Sequence, residues 1–131
     1  MLESDTMTTD YTYGDGRSGD ATNFGIFKQR WMMLRTSASE FLGETTEQVD
    51  DGVILNTDLD TVVKARHDSE EYYGLDKWCA GHRNGASGLA NPNTSDIAGY
   101  KSAIQWIQQQ IESDKVYQKD DTRFWVQVQP I

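Results

Sequence analysis

Two acidic residues near the N-terminus have a spacing that suits acid–base chemistry. Glu3 stands twelve positions before Asp15, and the second acid lies in the turn-rich run YTYGDGRSGD at 11–20. Two acids on opposite arms of a bend can face one substrate. Glycoside hydrolysis uses such a pair, because one carboxylic acid protonates the leaving oxygen while a second carboxylate activates a water or attacks the anomeric carbon. Spacing alone is a weak indication, since Asp10 and Asp20 are also available.

The composition is that of one globular domain with an acidic surface. The chain has 131 residues, 37% of them hydrophobic and 25% charged, and its formal net charge is −9. A chain of this length buries roughly two-thirds of its unfolded surface, which suffices for one core. The negative charge disfavours nucleic acid and anionic membranes as partners, because phosphate binding draws on clustered Lys and Arg. We therefore expect a single, monomeric domain over residues 1–131 with a neutral partner.

Several other kinds of site are disfavoured by the residue inventory. Cys79 is the only cysteine, so no intramolecular disulfide can form. With one cysteine and two separated histidines, His67 and His82, no metal-ligand spacing is present, and we expect neither a metal nor a cofactor. The run GDGRSGD lacks the ending of a phosphate loop, and no G-x-S-x-G occurs. An apolar run near 18 residues and a signal-peptide pattern are also missing, so the chain is either cytosolic or had its leader removed.

The hydrophobic spacing predicts an α+β domain that is mainly helical, with a small β-hairpin near the N-terminus. We place that hairpin within residues 4–23, with its turn at Gly14, Asp15 and Gly16. Alternating apolar residues at 124, 126 and 128 predict one late strand.

The helical predictions rest on apolar residues spaced by three and four. They comprise an amphipathic helix from Asn23 through Leu34, a helical turn over 37–42, a stretch from Thr46 to Leu55, a helix capped by Thr57 that stops at Gly74, a short helix over 76–84 ended by Gly85, and a helix capped by Ser95 that runs to Ile111.

Each conspicuous residue also has an ordinary structural interpretation. A lone Glu such as Glu3 is usually a surface acid, and an Asp between two glycines is usually a turn residue. His82 could be a general base or a satisfied structural histidine. The four tryptophans are core residues by default, although one exposed in a groove could stack against a sugar ring.

Three stretches of the chain carry a resemblance to a known family. They are ESDTMTTDYTYGDGRSGDATNFGIFKQRW at 3–31, DKWCAGHRNGASGLANP at 76–92 and DDTRFWVQVQ at 120–129. Together they resemble glycoside hydrolase family 134, the inverting endo-β-1,4-mannanases with a lysozyme-like fold. The resemblance implies a secreted enzyme that hydrolyses β-1,4-mannan and manno-oligosaccharides without a cofactor.

The resemblance also implies roles for particular residues. A Glu that closes the first helix of the family acts as general acid and an Asp in the following hairpin as general base, and the matching positions are Glu3 and Asp15. By the same resemblance, Asn23 and Arg17 would help to position the water. We expect the cleft lining to come from polar and aromatic residues, namely Tyr11, Tyr13, Lys28, Gln29, Trp31, Asp76, Lys77, Trp78, His82 and Arg83.

The chemistry of the two acids agrees with these roles. Met1, Leu2 and Met7 flank Glu3, and an apolar wall would raise the pKa of its carboxyl, as a general acid at neutral pH requires. Asp15 in a solvated turn should stay ionised. Only two residues precede Glu3, so we expect the domain to lack, or to carry in truncated form, the helix that bears the acid in the family.

Two further functions remain open from sequence. The chain could be a non-catalytic mannan-binding module, although a binder would have no use for the two acids. It could also be a lysozyme-type muramidase or chitinase, by analogy of fold. The net charge of −9 argues against that, since enzymes that attack anionic cell walls are commonly basic.

Overall fold

The chain folds into a mainly helical α+β domain, as the sequence predicts. A computed structural model describes Glu3 and residues 7–48 and 53–129. Its elements are two strands, β1 (Asn23–Phe24) and β2 (Gln29–Arg30), followed by the helices α1 (Trp31–Ser37), α2 (Val53–Thr57), α3 (Leu59–Tyr73), α4 (Leu75–Ala90) and α5 (Ser95–Glu112). Short 3₁₀ turns lie at Tyr13–Gly16, Gly19–Ala21 and Lys115–Gln118.

The hairpin lies further along the chain than predicted. β1 and β2 pair antiparallel, with Asn23 opposite Arg30 and Phe24 opposite Gln29. The loop between them closes with a hydrogen bond from the Lys28 amide to the Gly25 carbonyl at 2.9 Å. The predicted turn at Gly14–Gly16 exists, but it is a 3₁₀ turn that joins no paired strands.

The helix predicted from Asn23 begins only at Trp31. Gly25 has φ 74° and Lys28 has φ 47°, so both residues leave the right-handed helical region and the chain turns back as a hairpin. The three-and-four spacing of Phe24, Trp31 and Leu34 reflects their meeting in one core rather than one continuous helix. Trp31 packs edge-on against Phe24, with ring centroids 5.7 Å apart, and against Phe41 at 5.6 Å.

The later helices follow the predictions closely. α3 ends at Gly74 as expected, but its cap is Asp58, whose carboxylate accepts from the Asp60 amide, and not Thr57. α5 is likewise capped by Thr94 in place of Ser95. At Gly85 the chain leaves helical geometry with φ 61° and ψ −139°, yet α4 resumes and continues to Ala90. The predicted stretch from Thr46 to Leu55 falls partly outside the described residues.

The predicted late strand is an extended segment with no partner strand in the described chain. From 121 to 129 its residues alternate between exposed and half-buried, which is the period of two that the sequence carries. Its inward side chains pack on helices, because Phe124 lies against Tyr117 at 5.2 Å and Val128 against the core beside Met33. The alternation of apolar and polar residues in this segment therefore reflects burial of one side of an extended chain and not pairing in a sheet.

Two apolar clusters form the core and fix the position of the hairpin. The first gathers Phe24, Trp31, Leu34, Leu55 and Val62 between the hairpin, α1, α2 and α3. The second gathers residues of α1, α4 and α5, namely Met33, Trp78, Cys79 and Tyr100. Among the described residues, no helix has both the length and the apolar character needed to cross a membrane.

Gly25 brings the hairpin loop into close contact with α3. A Cβ at this position would lie 2.2 Å from Val62 Cγ2 and 3.0 Å from the Leu55 carbonyl oxygen. We therefore expect Gly25→Ala to lower the free energy of unfolding by about 3 kcal/mol, from left-handed strain and overpacking together. Urea denaturation measures this. Gly43→Ala is the control, because Gly43 has φ 75° and no atom within 4 Å of an added Cβ. Equal losses in the two variants would contradict the packing argument.

Candidate active site

Glu3 is held by side chains from two helices. Its Oε1 accepts a hydrogen bond from the Tyr100 hydroxyl of α5 at 2.5 Å and lies 3.3 Å from His82 Nε2 of α4. Within the described part of the chain, both of these contacts fall on Oε1. Oε2 is therefore the oxygen that Glu3 can offer to a bound molecule.

The charge state of Glu3 differs from the sequence prediction. Burial opposes its ionisation, but the hydrogen bond and charge of His82, the hydrogen bond of Tyr100 and the charge of Lys28 together lower the pKa of Glu3 to about 2. Of the expected apolar wall, Met7 lies in the same cleft as Glu3, Met1 and Leu2 fall outside the described residues, and the effect of burial on the pKa of Glu3 is outweighed by these donors. In the ligand-free cleft Glu3 is a carboxylate, and the prediction of a raised pKa is wrong for that state.

His82 is wedged between two aromatic rings. It lies four residues after Trp78, so both side chains leave the same face of α4. The imidazole stacks on Trp78 with ring centroids 4.9 Å apart and an interplanar angle of 12°, and on Tyr100 at 5.9 Å and 25°. Its side chain is only 4% exposed. Tyr100 is equally fixed, because burial and the nearby Glu3 raise the pKa of its hydroxyl well above the ordinary value and keep it a donor.

A cleft opens from this cluster along the groove between α3 and α5. It has a volume of about 520 Å³ and includes Glu3, Trp78, His82 and Tyr100 in its walls. The remaining apolar wall comes from Met7, from Ile26 and Phe27 of the hairpin loop, from Val63 of α3 and from Ile104, Ile107 and Ile111 of α5. Arg66, Glu70, Gln108 and Glu112 add polar groups. The hairpin therefore lies beside the cleft, as predicted.

Asp15 stands in a strained turn with its carboxylate bound on two sides. Its backbone has φ 59° and ψ 33°, a left-handed conformation that Asp adopts more readily than most residues. Lys28 Nζ lies 3.2 and 3.3 Å from its two oxygens, and Asn23 Nδ2 donates to Oδ2 at 3.3 Å. The preceding residue must be glycine, since a Cβ on Gly14 would lie 2.6 Å from Thr22.

Lys28 connects the two acids electrostatically. It forms the ion pair with Asp15, and its charge also helps to lower the pKa of Glu3. The backbone of Lys28 is left-handed with φ 47°, so the hairpin loop that positions its side chain is strained as well. Strained residues of this kind persist where the surrounding structure holds them, and they cluster at functional sites.

Tyr11 contacts the Lys28 side chain that pairs with Asp15, and Tyr13 belongs to the same 3₁₀ turn as Asp15. The Tyr11 hydroxyl donates to the Gly25 carbonyl at 2.8 Å. Lys28 Nζ lies over the Tyr11 ring, 4.8 Å from its centroid. Burial and the charge of Asp15 raise the pKa of Tyr11 to about 12. Tyr13 is 48% exposed and packs its edge on Phe24. Neither ring is among the residues that line the cleft of about 520 Å³, so their contact with a substrate stays a prediction.

Two of the predicted lining residues are buried in the core instead. Trp31 is 1% exposed and belongs to the cluster around Phe24. Gln29 is 2% exposed, and its side-chain amide donates to the Val62 carbonyl at 3.0 Å, which ties the hairpin to α3. Neither side chain reaches a substrate in this arrangement, and those two predictions are wrong.

The other predicted residues are spread over several places. Arg17 is exposed, and its charge acts on Arg30, whose pKa is lowered by burial and by Arg17. The cation that contacts Asp15 is therefore Lys28 and not Arg17. Arg83 binds Asp96 and the Gln129 carbonyl and so fastens the extended C-terminal segment.

The predicted pair Asp76 and Lys77 lies away from the cleft. Asp76 is exposed and pairs with Lys101. Lys77 borders a smaller cavity of about 360 Å³ with Tyr72, Tyr73 and Leu89. Within the described residues, no group of three or more His, Cys, Asp or Glu could hold a metal ion.

Tyr100 is the functional residue that sequence reasoning missed. Its spacing from Ile97 and Ile104 is that of the apolar face of α5, and it does lie in the second core cluster. The available signal was its hydroxyl, because a buried tyrosine usually has a hydrogen-bond partner for that group. The partner, Glu3, is 97 positions away in sequence, so spacing could not identify it.

The low pKa of Glu3 predicts a specific acid sensitivity. Because its folded pKa of about 2 lies below the ordinary 4.5, its contribution to stability is complete above about pH 4.5 and is lost as the pH falls toward 2. The contribution is on the order of 3 kcal/mol. We expect the free energy of unfolding to fall less between pH 6 and pH 2.5 in Glu3→Gln than in the wild type, measured by urea denaturation. Glu71→Gln, at an exposed position of α3, should follow the wild type. Equal losses in Glu3→Gln and the wild type would contradict the stabilised carboxylate.

A mainly helical α+β domain with a carboxylate in an open cleft and a second carboxylate in a neighbouring strained turn fits the class of enzymes that hydrolyse glycosidic bonds. The family model of glycosyl hydrolase family 134 matches residues 1–128, and the chain belongs to this family. The resemblance found in the sequence is thereby confirmed, and the protein is a glycoside hydrolase. No curated protein matches the chain.

Proposed function

We propose that the protein is an endo-β-1,4-mannanase that cleaves internal bonds of mannan with inversion, Glu3 acting as general acid and Asp15 as general base. The observation that carries this proposal is the placement of the two acids around Lys28. Glu3 lies in the wall of the cleft, and Asp15 lies in the Tyr13–Gly16 turn with Asn23 and Lys28 on its oxygens. The charge of Lys28 also acts on Glu3. Membership of the glycosyl hydrolase family supports it.

In the proposed reaction, Glu3 delivers a proton to the glycosidic oxygen as its bond to the anomeric carbon breaks. Asp15 removes a proton from a water that attacks the same carbon from the opposite face, which inverts the configuration. Carboxyl groups about 6.5–9.5 Å apart leave room for that water. Asn23 and Lys28 both bind the Asp15 carboxylate and so fix its orientation. The lone pairs that they leave free are the ones that can accept the proton of the water. No covalent intermediate is required.

The surroundings of the cleft suit a neutral polymer. The cleft is open rather than closed, and aromatic and aliphatic side chains such as Phe27 and Trp78 offer apolar surface to the faces of sugar rings. A net charge of −9 repels anionic polysaccharides and has little effect on uncharged mannan. We further propose that the enzyme acts as a monomer outside the cell, because a long polysaccharide does not cross a membrane.

The direct test of the substrate is the mixture of products from linear polymers. Purified protein is incubated with β-1,4-mannan, cellulose and chitin oligosaccharides, and the chain lengths formed are followed over time. The proposal predicts a rapid fall in the viscosity of mannan and a range of manno-oligosaccharides, with little change in the other two. Cleavage of chitin instead would favour a lysozyme-type enzyme, and binding of mannan without cleavage would favour a non-catalytic module.

A further inference from the structure

The hydroxyl of Tyr100 on α5 contacts the carboxylate of Glu3, and its oxygen lies 2.5 Å from Oε1. We infer that Tyr100 positions the general acid: its hydroxyl holds Oε1, leaves Oε2 to carry the proton, and stabilises the charge that Glu3 gains as the proton leaves. Tyr100 thus acts through Glu3 and is a positioning residue. The inference rests on the proposed function for the reaction, whereas the contact rests on the structure alone.

Glu3 depends on other parts of the chain for its orientation. It lies in none of the helices or strands of the domain, so its secondary structure does not direct its side chain. Its carboxylate is met by Tyr100, 97 positions later in the chain, and by His82 of α4. A glutamate side chain has several staggered rotamers, and a displacement of about 1 Å can cost roughly 10²-fold in rate. A donor that holds Oε1 therefore also determines where Oε2 lies.

Tyr100 is itself fixed by the packing of α4 against α5. Its ring is 4% exposed, stacks on that of His82 at 5.9 Å and 25°, and has the Arg83 guanidinium 5.8 Å from its centroid. Arg83 binds Asp96, which is four residues before Tyr100 and so lies on the same face of α5. This ion pair joins the two helices one turn from Tyr100. The position of the hydroxyl is therefore set by the helical core.

The hydrogen bond from Tyr100 strengthens as the proposed reaction proceeds. Glu3 is neutral before it gives up its proton and is a carboxylate afterwards, and a bond to an ionised acceptor is roughly twice as strong as one to a neutral acceptor. An interaction that is stronger in the transition state than in the ground state raises kcat. The hydroxyl does not replace Glu3 as the acid, because burial and the nearby carboxylate raise the pKa of Tyr100 well above its ordinary value.

The activity test removes only the hydroxyl. Tyr100→Phe keeps the ring beside His82, and we expect kcat for mannopentaose to fall by roughly 10- to 100-fold with a smaller change in KM. Turnover of β-mannobiosyl fluoride should stay close to that of the wild type, because fluoride departs without needing a full proton. Tyr72→Phe, at a position of α3 that is 62% exposed, should match the wild type on both substrates.

The two substrates distinguish positioning of the acid from damage to the fold. A merely structural tyrosine would affect both reactions in the same proportion. Equal losses on mannopentaose and on the fluoride would therefore overturn the inference, and so would an unchanged kcat for mannopentaose.

A double variant tests whether Tyr100 acts through Glu3. Glu3→Gln has no carboxylic proton to deliver, so adding Tyr100→Phe should lower kcat for mannopentaose by less than about twofold further. If the two losses instead multiply, Tyr100 acts independently of Glu3 and the inference is overturned.

Urea denaturation of the ligand-free protein tests the contact without catalysis. The wild type, Glu3→Ala, Tyr100→Phe and the double variant form a double-mutant cycle. We expect less than additive shifts of the denaturation midpoint, because either single substitution already removes the contact. Additive shifts would overturn the inference even if mannan is cleaved. Less than additive shifts in a protein that cleaves no mannan would support the contact and contradict the proposed function.

Discussion

Glu3→Gln is expected to lower kcat for mannopentaose by at least about 10³-fold while leaving the dissociation constant for the oligosaccharide nearly unchanged. General acid catalysis contributes roughly 10²–10⁴-fold, and an unprotonated sugar alkoxide is a poor leaving group. Gln keeps the size of Glu and an oxygen that can accept from Tyr100. Steady-state kinetics and calorimetric titration measure the two quantities.

A substrate with a better leaving group separates the acid role from general damage. Fluoride departs without needing a full proton, so Glu3→Gln should retain much of its activity on β-mannobiosyl fluoride. Glu71→Gln should match the wild type on both substrates. Loss of activity on the fluoride equal to that on mannopentaose would contradict the assignment of Glu3 as acid.

Asp15→Asn is expected to lower kcat by at least about 10³-fold on mannopentaose and on β-mannobiosyl fluoride alike. Activation of the water is needed whichever group leaves, so a better leaving group cannot compensate for a missing base. Asn also tolerates the left-handed conformation of this position, with φ 59°, and the turn should therefore persist. Kinetics on both substrates provide the measurement.

Asp20→Asn is the matched control for Asp15→Asn. Asp20 lies in the same segment and is also paired with a cation, since Arg35 bonds its two oxygens at 2.5 and 2.7 Å. It is expected to lose little activity, because this pair is exposed and points to α1 rather than to the cleft. Substantial turnover by Asp15→Asn, or an equal loss in Asp20→Asn, would contradict the role of Asp15.

The later helices could be predicted from the sequence better than the first third of the chain. α3 and α5 were predictable because their apolar spacing and their caps are local properties, and each cap was missed by one residue. The hairpin was misplaced because Gly25 and Lys28 adopt positive φ, which the spacing of the neighbouring apolar residues conceals. The Gly25 conformation depends on contacts with Val62 and Leu55, which are distant in sequence.

The site shows the same division between local and distant effects. Glu3, Asp15, Asn23 and Lys28 are close in sequence, and the structure brings the last three together. The charge of Glu3 was mispredicted because its donors lie on α4 and α5, far along the chain. Trp31 was expected in the cleft because of its residue type, but it is buried in the core. The residues that neighbour a tryptophan in sequence do not show which side of the hairpin its side chain will face.

Proton NMR of the anomeric signals during the first turnovers of mannopentaose tests the central claim most directly. The account predicts that new reducing ends appear first as α-mannose from the β-linked substrate and that the β form grows later by mutarotation, with no cleavage of cellopentaose. This result would establish inversion and an endo-acting mannanase together. Early β ends would contradict the account, because they would mean that a carboxylate attacks the sugar and that Asp15 does not activate a water.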